Sequence, residues 1–213
     1  MEKIEIVTLP CGPLETNAYL IVHHDRALLI DAPPDSHLAV LEELEQREAR
    51  LERIVITHTH WDHIVDAAEL RRQTGAPIAA HPEAVPRLER PRPLLTPLPF
   101  EIEPAPPDEL LNDGDLVSFG PLQFQVIHTP GHAPEQISLY EPIRRWLFGG
   151  DTLFPGGYGR VDLPGSSMEQ TIQTLRRLLT LPDDVVVFPG HGPNTTLGRE
   201  RPWIEQLVGT IRD

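Results

Sequence analysis

The chain has 213 residues, 39% of them hydrophobic and 23% charged, a globular composition that excludes a disordered or fibrous protein. No apolar run approaches the ~18 residues of a membrane-spanning helix. Eighteen Lys and Arg against 32 Asp and Glu leave a net charge of −14, which repels phosphate backbones and anionic headgroups, so neither nucleic acid nor a membrane is an expected partner.

Apolar spacing predicts strands over Ile4–Leu9, Ala18–Val22 and Ala27–Ile30. A helix capped by Ser36 then runs to about Arg50, with Leu38, Leu41, Leu44 and Leu51 on one face. Strand Ile54–Ile56 leads into a helix from about Asp62 to Thr74, stopped by Gly75-Ala76-Pro77, and strand Ile78–Ala80 follows. Between Arg90 and Pro107 seven prolines exclude a helix or a central strand. The segment at about 91–107 reads as a surface crossover between two halves of one domain spanning 1–213. Further strands are predicted at Leu116–Phe119, Phe124–Ile127, Ile137–Tyr140, Trp146–Phe148 and Val185–Phe188. A helix over Ser167–Leu179 carries Ile172, Leu175 and Leu179, and a last one carries Trp203, Leu207 and Ile211. Interspersed strands and helices point to an α/β domain with helices covering sheet faces.

The single Cys11 cannot form an internal disulfide. The N-terminal MEKIEIVTL has no basic region followed by an apolar one, so no signal peptide and a cytoplasmic enzyme are expected. The 24 prolines, twice the usual ~5%, suit a heat-stable protein, whereas genome composition explains equally well why Lys3 is the one lysine among the basic residues.

The chemistry concentrates in His58-Thr59-His60-Trp61-Asp62-His63, directly after a strand. Three imidazoles and a carboxylate within six residues form a dense set of ligands for first-row metals. Three later strands repeat the design. Phe124–Ile127 leads to His128-Thr129-Pro130-Gly131-His132, Trp146–Phe148 to Gly149-Gly150-Asp151, and Val185–Phe188 to Pro189-Gly190-His191. Strand ends along one sheet edge converge, and glycine lets the backbone approach a metal closely.

These motifs resemble the metallo-β-lactamase superfamily and, within it, the glyoxalase II-like branch. The resemblance runs from Gly12-Pro13-Leu14-Glu15-Thr16-Asn17 through Asp31, HxHxDH, HTPGH, the FGGDTLF segment at 148–154, GRVDLPG at 159–165 and FPGHGPNTT at 188–196. It implies an αββα sandwich, two facing mixed sheets with helices outside. It also implies that His58, His60 and His132 hold one metal, that Asp62, His63 and His191 hold a second, and that Asp151 bridges them. Zinc is expected, with iron or manganese also suited to these donors. Asp31 falls just behind the site, either orienting the ligand loop or capping its strand. Arg160 falls where the family meets a substrate carboxylate, or forms a structural ion pair with Asp162.

The chain departs from the glyoxalase II-like pattern at three places. Ala133-Pro134-Glu135-Gln136 stands where a small neutral turn ending in Gly-Ser is usual, and Asp162 where glutathione-specific enzymes carry an aromatic residue. Only 22 residues follow His191, too few for the helical domain that holds glutathione in the two-domain enzymes. The expectation is therefore a dinuclear metal-dependent hydrolase that cleaves a small acyl thioester through a metal-bridging hydroxide, with Asp62 and Asp151 central to catalysis and Arg160 binding substrate. A mono-iron persulfide dioxygenase-like sulfur oxygenase is the alternative, because those relatives keep the same side chains. A non-catalytic metal-binding module is disfavoured because all seven candidate ligands are present. Nuclease activity is disfavoured by the charge, and β-lactam hydrolysis by the lack of a secretion signal.

Overall fold

Strongly apolar runs punctuated by Gly, Pro and Asp build short strands, and the computed structural model describes residues 3–93, 95 and 97–210. Contacts divide the chain into two units: everything up to Leu111 together with Ser118–Pro121, and Asn112–Val117 together with everything from Leu122.

In the first unit β1 (Glu5–Cys11), β2 (Thr16–His23), β3 (Arg26–Ile30), β4 (Arg50–Val55), β5 (Ile78–Ala80) and β6 (Glu109–Leu110) form one sheet in chain order. β1, β2 and β3 are antiparallel and joined by tight turns, whereas β3 to β6 run parallel. Parallel neighbours need crossovers. These are α1 (Ser36–Gln46), then α2 (Trp61–Ile64) with α3 (Ala67–Thr74), then a 3-10 turn at Pro82–Ala84 with α4 (Val85–Glu89). All of β2 and four of five residues of β3 are buried, as central strands covered on both faces must be.

Two helices differ from the periodicity. α1 ends at Gln46 because Glu48 adopts a left-handed conformation (φ 51°) and Ala49 N–H turns back onto the Leu44 carbonyl at 2.9 Å. This Schellman closure sends Leu51 into β4; along the helix Val40 and Leu44 take the buried face, which leaves Leu38 64% exposed. The cap residue is Asp35, and Ser36 is the first helical residue, buried. The helix predicted over 62–74 is broken at Val65-Asp66. Asp66 N–H bonds the Ala32 carbonyl, and its carboxylate accepts from His37 N–H at 2.9 Å, so a tertiary tie replaces a helical one.

The second sheet carries β7 (Leu116–Phe119), β8 (Leu122–His128), β9 (Ile137–Glu141), β10 (Trp146–Gly150), β13 (Val186–Pro189) and β14 (Thr195–Thr196), in the order β14-β13-β10-β9-β8-β7. A hairpin of β11 (Leu153–Phe154) and β12 (Gly157–Tyr158) stands apart from it. α5 (Met168–Leu178) and α6 (Leu197–Thr210) pack together, burying Leu175, Leu178, Leu197 and Ile204 with Leu147 and Val187 of the strands. Trp203 and Leu207 pack against this cluster, and Ile211 lies outside the described residues. The predicted strands recur within a few residues. The additional ones (β6, β11, β12, β14) are two residues long, too short to show a period. The described residues of the proline-rich segment 91–107 form no helix or strand, as predicted; Leu94 and Thr96 lie outside them.

Candidate metal centre

β3 and β4 are parallel neighbours, so their carboxyl ends open on the same edge of the first sheet. Asp31 follows β3 in a left-handed conformation (φ 61°), and its carboxylate accepts from Thr57 N–H and Thr57 Oγ1, each at 2.8 Å. The same carboxylate lies 2.8 Å from His63 Nδ1. A carboxylate there keeps the proton on Nδ1 and makes Nε2 the electron-pair donor, the usual support for a ligating histidine. Asp31 thus fixes the chain just after β4 and the His63 ring at once.

Around it stand the predicted ligands of this unit, all buried: His58 and His63 fully, with His60 and Asp62 at the rim. His58 Nε2 lies 3.1 Å from His60 Nδ1, and His63 Nε2 lies 3.5 Å from Asp62 Oδ2. Thr16 Oγ1 donates to Asp62 Oδ2 at 3.0 Å, fixing which oxygen faces the histidine. Two ligands on one tetrahedral zinc, with bonds of about 2.0–2.1 Å, lie about 3.3 Å apart. These pairs fit that spacing.

The second unit builds a matching set. β8 and β9 are antiparallel, β9 and β10 are antiparallel, and β10 and β13 are parallel, so β8, β10 and β13 end on a common edge. His132, Asp151 and His191 follow these three ends. Asp151 Oδ2 lies 3.4 Å from His132 Nε2 and 3.6 Å from His191 Nε2, so one oxygen stands between two imidazoles at ligand spacing. His132 Nδ1 donates to the Arg160 carbonyl at 2.9 Å, which again leaves Nε2 as the donor to a cation.

Gly159 makes this packing feasible: a Cβ there would lie 2.0 Å from the Asp151 carbonyl oxygen and 2.8 Å from His132 Cγ. Beneath the ligands Gln136 Nε2 donates to Thr152 Oγ1 at 2.5 Å, and Thr129 and Ser138 hydroxyls meet at 3.0 Å. The departure at 133–136 is therefore inward-facing. Glu135 is 2% exposed, and Gln136 steadies the residue next to Asp151.

Arg160 presents its guanidinium to Asp162 through two bonds of 2.7 Å, both side chains being solvent-exposed. That donor pair holds the Asp162 carboxyl down to about 2. Spacing alone did not single out Thr16, Thr57, Gly159 or the Arg160 carbonyl. Thr16 and Gly159 fall inside the motif segments, while Thr57 and a backbone carbonyl carry no signal of their own.

The superfamily profile described as "Metallo-beta-lactamase superfamily" matches residues 11–191, which spans both sets of candidate ligands. The chain belongs to this superfamily. It is 30% identical to "Hydroxyacylglutathione hydrolase GloC" of Haemophilus influenzae, over 93% of this chain and 95% of that protein. Among solved structures, the fold matches "BLEG-1 B3 metallo-beta-lactamase" with a TM-score of 0.82 at 31% identity, covering 93% of this chain and 97% of that one. It matches "TTHA1623 in a di-iron-bound form" with a TM-score of 0.75 at 35% identity, covering 92% and 96%. The two mixed sheets with their helices are thus a metallo-β-lactamase fold, and the chain is a relative of metal-dependent hydrolases. No helix among the described residues is long and apolar enough to cross a membrane.

Proposed function

We propose that the chain works as one domain in which the two ligand sets form a dinuclear centre that hydrolyses acyl thioesters. His58, His60 and His132 would hold one ion, Asp62, His63 and His191 the second, and Asp151 both. Two divalent cations supply hydroxide at neutral pH and a Lewis acid for the substrate carbonyl. The protein's own groups do the rest. Asp31 and Thr57 keep His63 in one tautomer and orientation, the Arg160 carbonyl does so for His132, and Thr16 keeps Asp62 a ligand rather than a mobile base. Arg160, on exchanging Asp162 for a substrate carboxylate, would orient the thiol side of the substrate.

One observation carries this reading. A single Asp151 oxygen lies between the Nε2 atoms of His132 and His191, in a chain alike over nearly its full length to a protein named for glutathione thioester hydrolysis. That relative has nearly this chain's length, so a small glutathione thioester belongs among the substrates to test. The metal we expect is zinc; the di-iron form of one relative makes iron the second choice.

The test is metal content of the purified protein beside hydrolysis of S-lactoylglutathione, a short neutral thioester and a β-lactam. Two ions per chain with thioester turnover is the expected result. One iron per chain with oxygen consumption on a persulfide would overturn it in favour of a sulfur oxygenase, and turnover of the β-lactam alone would overturn the substrate class.

A further inference from the structure

Glu200, in the first turn of α6, is 1% exposed, yet its carboxylate collects donors from separate stretches of chain. Gly156 N–H donates to Oε2 at 2.7 Å, Trp203 Nε1–H to the same oxygen at 2.6 Å, and Thr195 Oγ1–H to Oε1. Burial pushes such a carboxyl up. Here the three donors outweigh burial and hold it below the usual carboxylate range, so Glu200 is an anion at neutral pH.

The partners matter more than the charge. Gly156 is the left-handed turn residue (φ +76°) of the β11–β12 hairpin. Asp151 stands two residues before that hairpin, and Gly159, packed on Asp151 and His132, directly follows it. Thr195 begins β14, four residues after His191, and pairs with Val187 of β13. Tyr158 of the hairpin stacks on Trp203 with ring centroids 6.2 Å apart, and Phe154 lies 6.3 Å from the His191 ring. One carboxylate therefore ties the hairpin after Asp151 and the strand after His191 to the same helix turn.

We propose that Glu200 is a positioning residue of the metal centre, holding the β11–β12 hairpin against the His191 segment so that Asp151 and His191 keep the spacing one ion requires. The proposal rests on the metal-centre reading given above. It differs from a plain helix anchor in what it costs to remove: an anchor lowers stability alone, whereas a positioning residue lowers metal affinity in protein that is still folded.

The experiment compares wild type, Glu200→Gln, Thr195→Val and the control Ile204→Val, which loosens the same helix at a buried apolar site without touching the carboxylate. Zinc affinity is read by competition with a chromophoric chelator, at a temperature where circular dichroism shows each variant folded, alongside kcat and KM. Glu200→Gln should bind zinc about 10–100-fold more weakly, as supporting partners of metal ligands do, with kcat falling and KM little changed. Thr195→Val should show a smaller loss in the same direction, and it carries the test if Glu200→Gln does not fold. Ile204→Val should lose stability and keep its affinity. Wild-type affinity in Glu200→Gln, or in Thr195→Val where that variant carries the test, would overturn the proposal, as would an equal loss in Ile204→Val. If wild type itself binds no metal, the metal-centre reading fails, and that failure shows in the wild-type arm alone.

Discussion

At the scale of single residues, the proposed second ligand set depends on Asp151 and on the space beside it. In the proposed centre, Asp151→Asn would weaken an anionic ligand whose Oδ2 lies near two imidazole nitrogens. We expect fewer metal ions per chain by elemental analysis and a rate loss of several orders of magnitude, with the circular dichroism spectrum unchanged. Two ions and near-normal turnover would remove the bridging role. Gly159→Ala places a methyl against the Asp151 carbonyl oxygen and the His132 ring, at distances that carbon atoms do not tolerate. Backbone and imidazole must shift, so metal affinity should fall by at least tenfold, which chelator competition would show. The Arg160–Asp162 pair makes an opposite forecast for its two members. Arg160→Ala should raise KM for a carboxylate-bearing thioester more than it lowers kcat, the mark of lost ground-state binding. Asp162→Ala should release the guanidinium and lower KM for the same substrate. Equal KM in both variants would show that Arg160 does not meet the substrate.

Among the elements, the helices were placed by sequence but their ends were decided by local backbone geometry. α5 begins where Ser167 accepts from Gln170 N–H at 3.3 Å, so Ser167→Ala should cost about 1 kcal/mol, measured as a lower urea midpoint at constant m. Beyond the end of α1 the chain turns on Glu48, an exposed residue held at φ 51° where glycine is the usual choice. Glu48→Gly should stabilise the protein by about 0.5–1 kcal/mol, because the left-handed strain it removes exceeds the added freedom of the unfolded chain. A lower urea midpoint in that variant would show that Glu48 makes contacts worth more than its strain. Leu38 points outward because the buried face of α1 is centred on Val40 and Leu44, far round the helix from it, and the Glu48 turn hands Leu51 to a strand.

For the molecule as a whole, acid should act in two stages. Ligating imidazoles must be neutral, so protons compete with metal as pH falls toward and below ~6.5, and tight binding moves that limit lower. The fold is guarded by carboxylates instead. Glu200 and Asp113 are both partly desolvated, which raises their pKa, but donors to each outweigh that and hold both below the ordinary carboxylate values. A depressed folded value means stability that is fully present above the unfolded value of ~4 and is lost as pH falls through the folded one. Metal and activity should therefore leave first, with far-ultraviolet circular dichroism persisting until pH drops below ~4. Coincident loss of metal and structure would show that the ions hold the fold together. Cys11 takes no part in this range, since burial raises its thiol to about 11.

Sequence alone marked the candidate ligands and determined most of the strands, because buried strands are written as contiguous apolar runs and metal-donor residue types as a dense HxHxDH cluster. It also showed where each later candidate ligand stands relative to its strand, since Gly and Pro mark the strand ends. Which strand ends become neighbours was decided by the tertiary structure. His132, Asp151 and His191 are far apart in the chain and meet because β8, β10 and β13 share a direction within one sheet. The supporting contacts belong to that level too. The bond from Asp31 to His63, the Arg160 carbonyl on His132 and the closeness of Gly159 to Asp151 arise from strand order and turn geometry. No residue-by-residue pattern encodes them, because hydrogen bonding by a carboxylate or a backbone carbonyl depends on what the fold places opposite it.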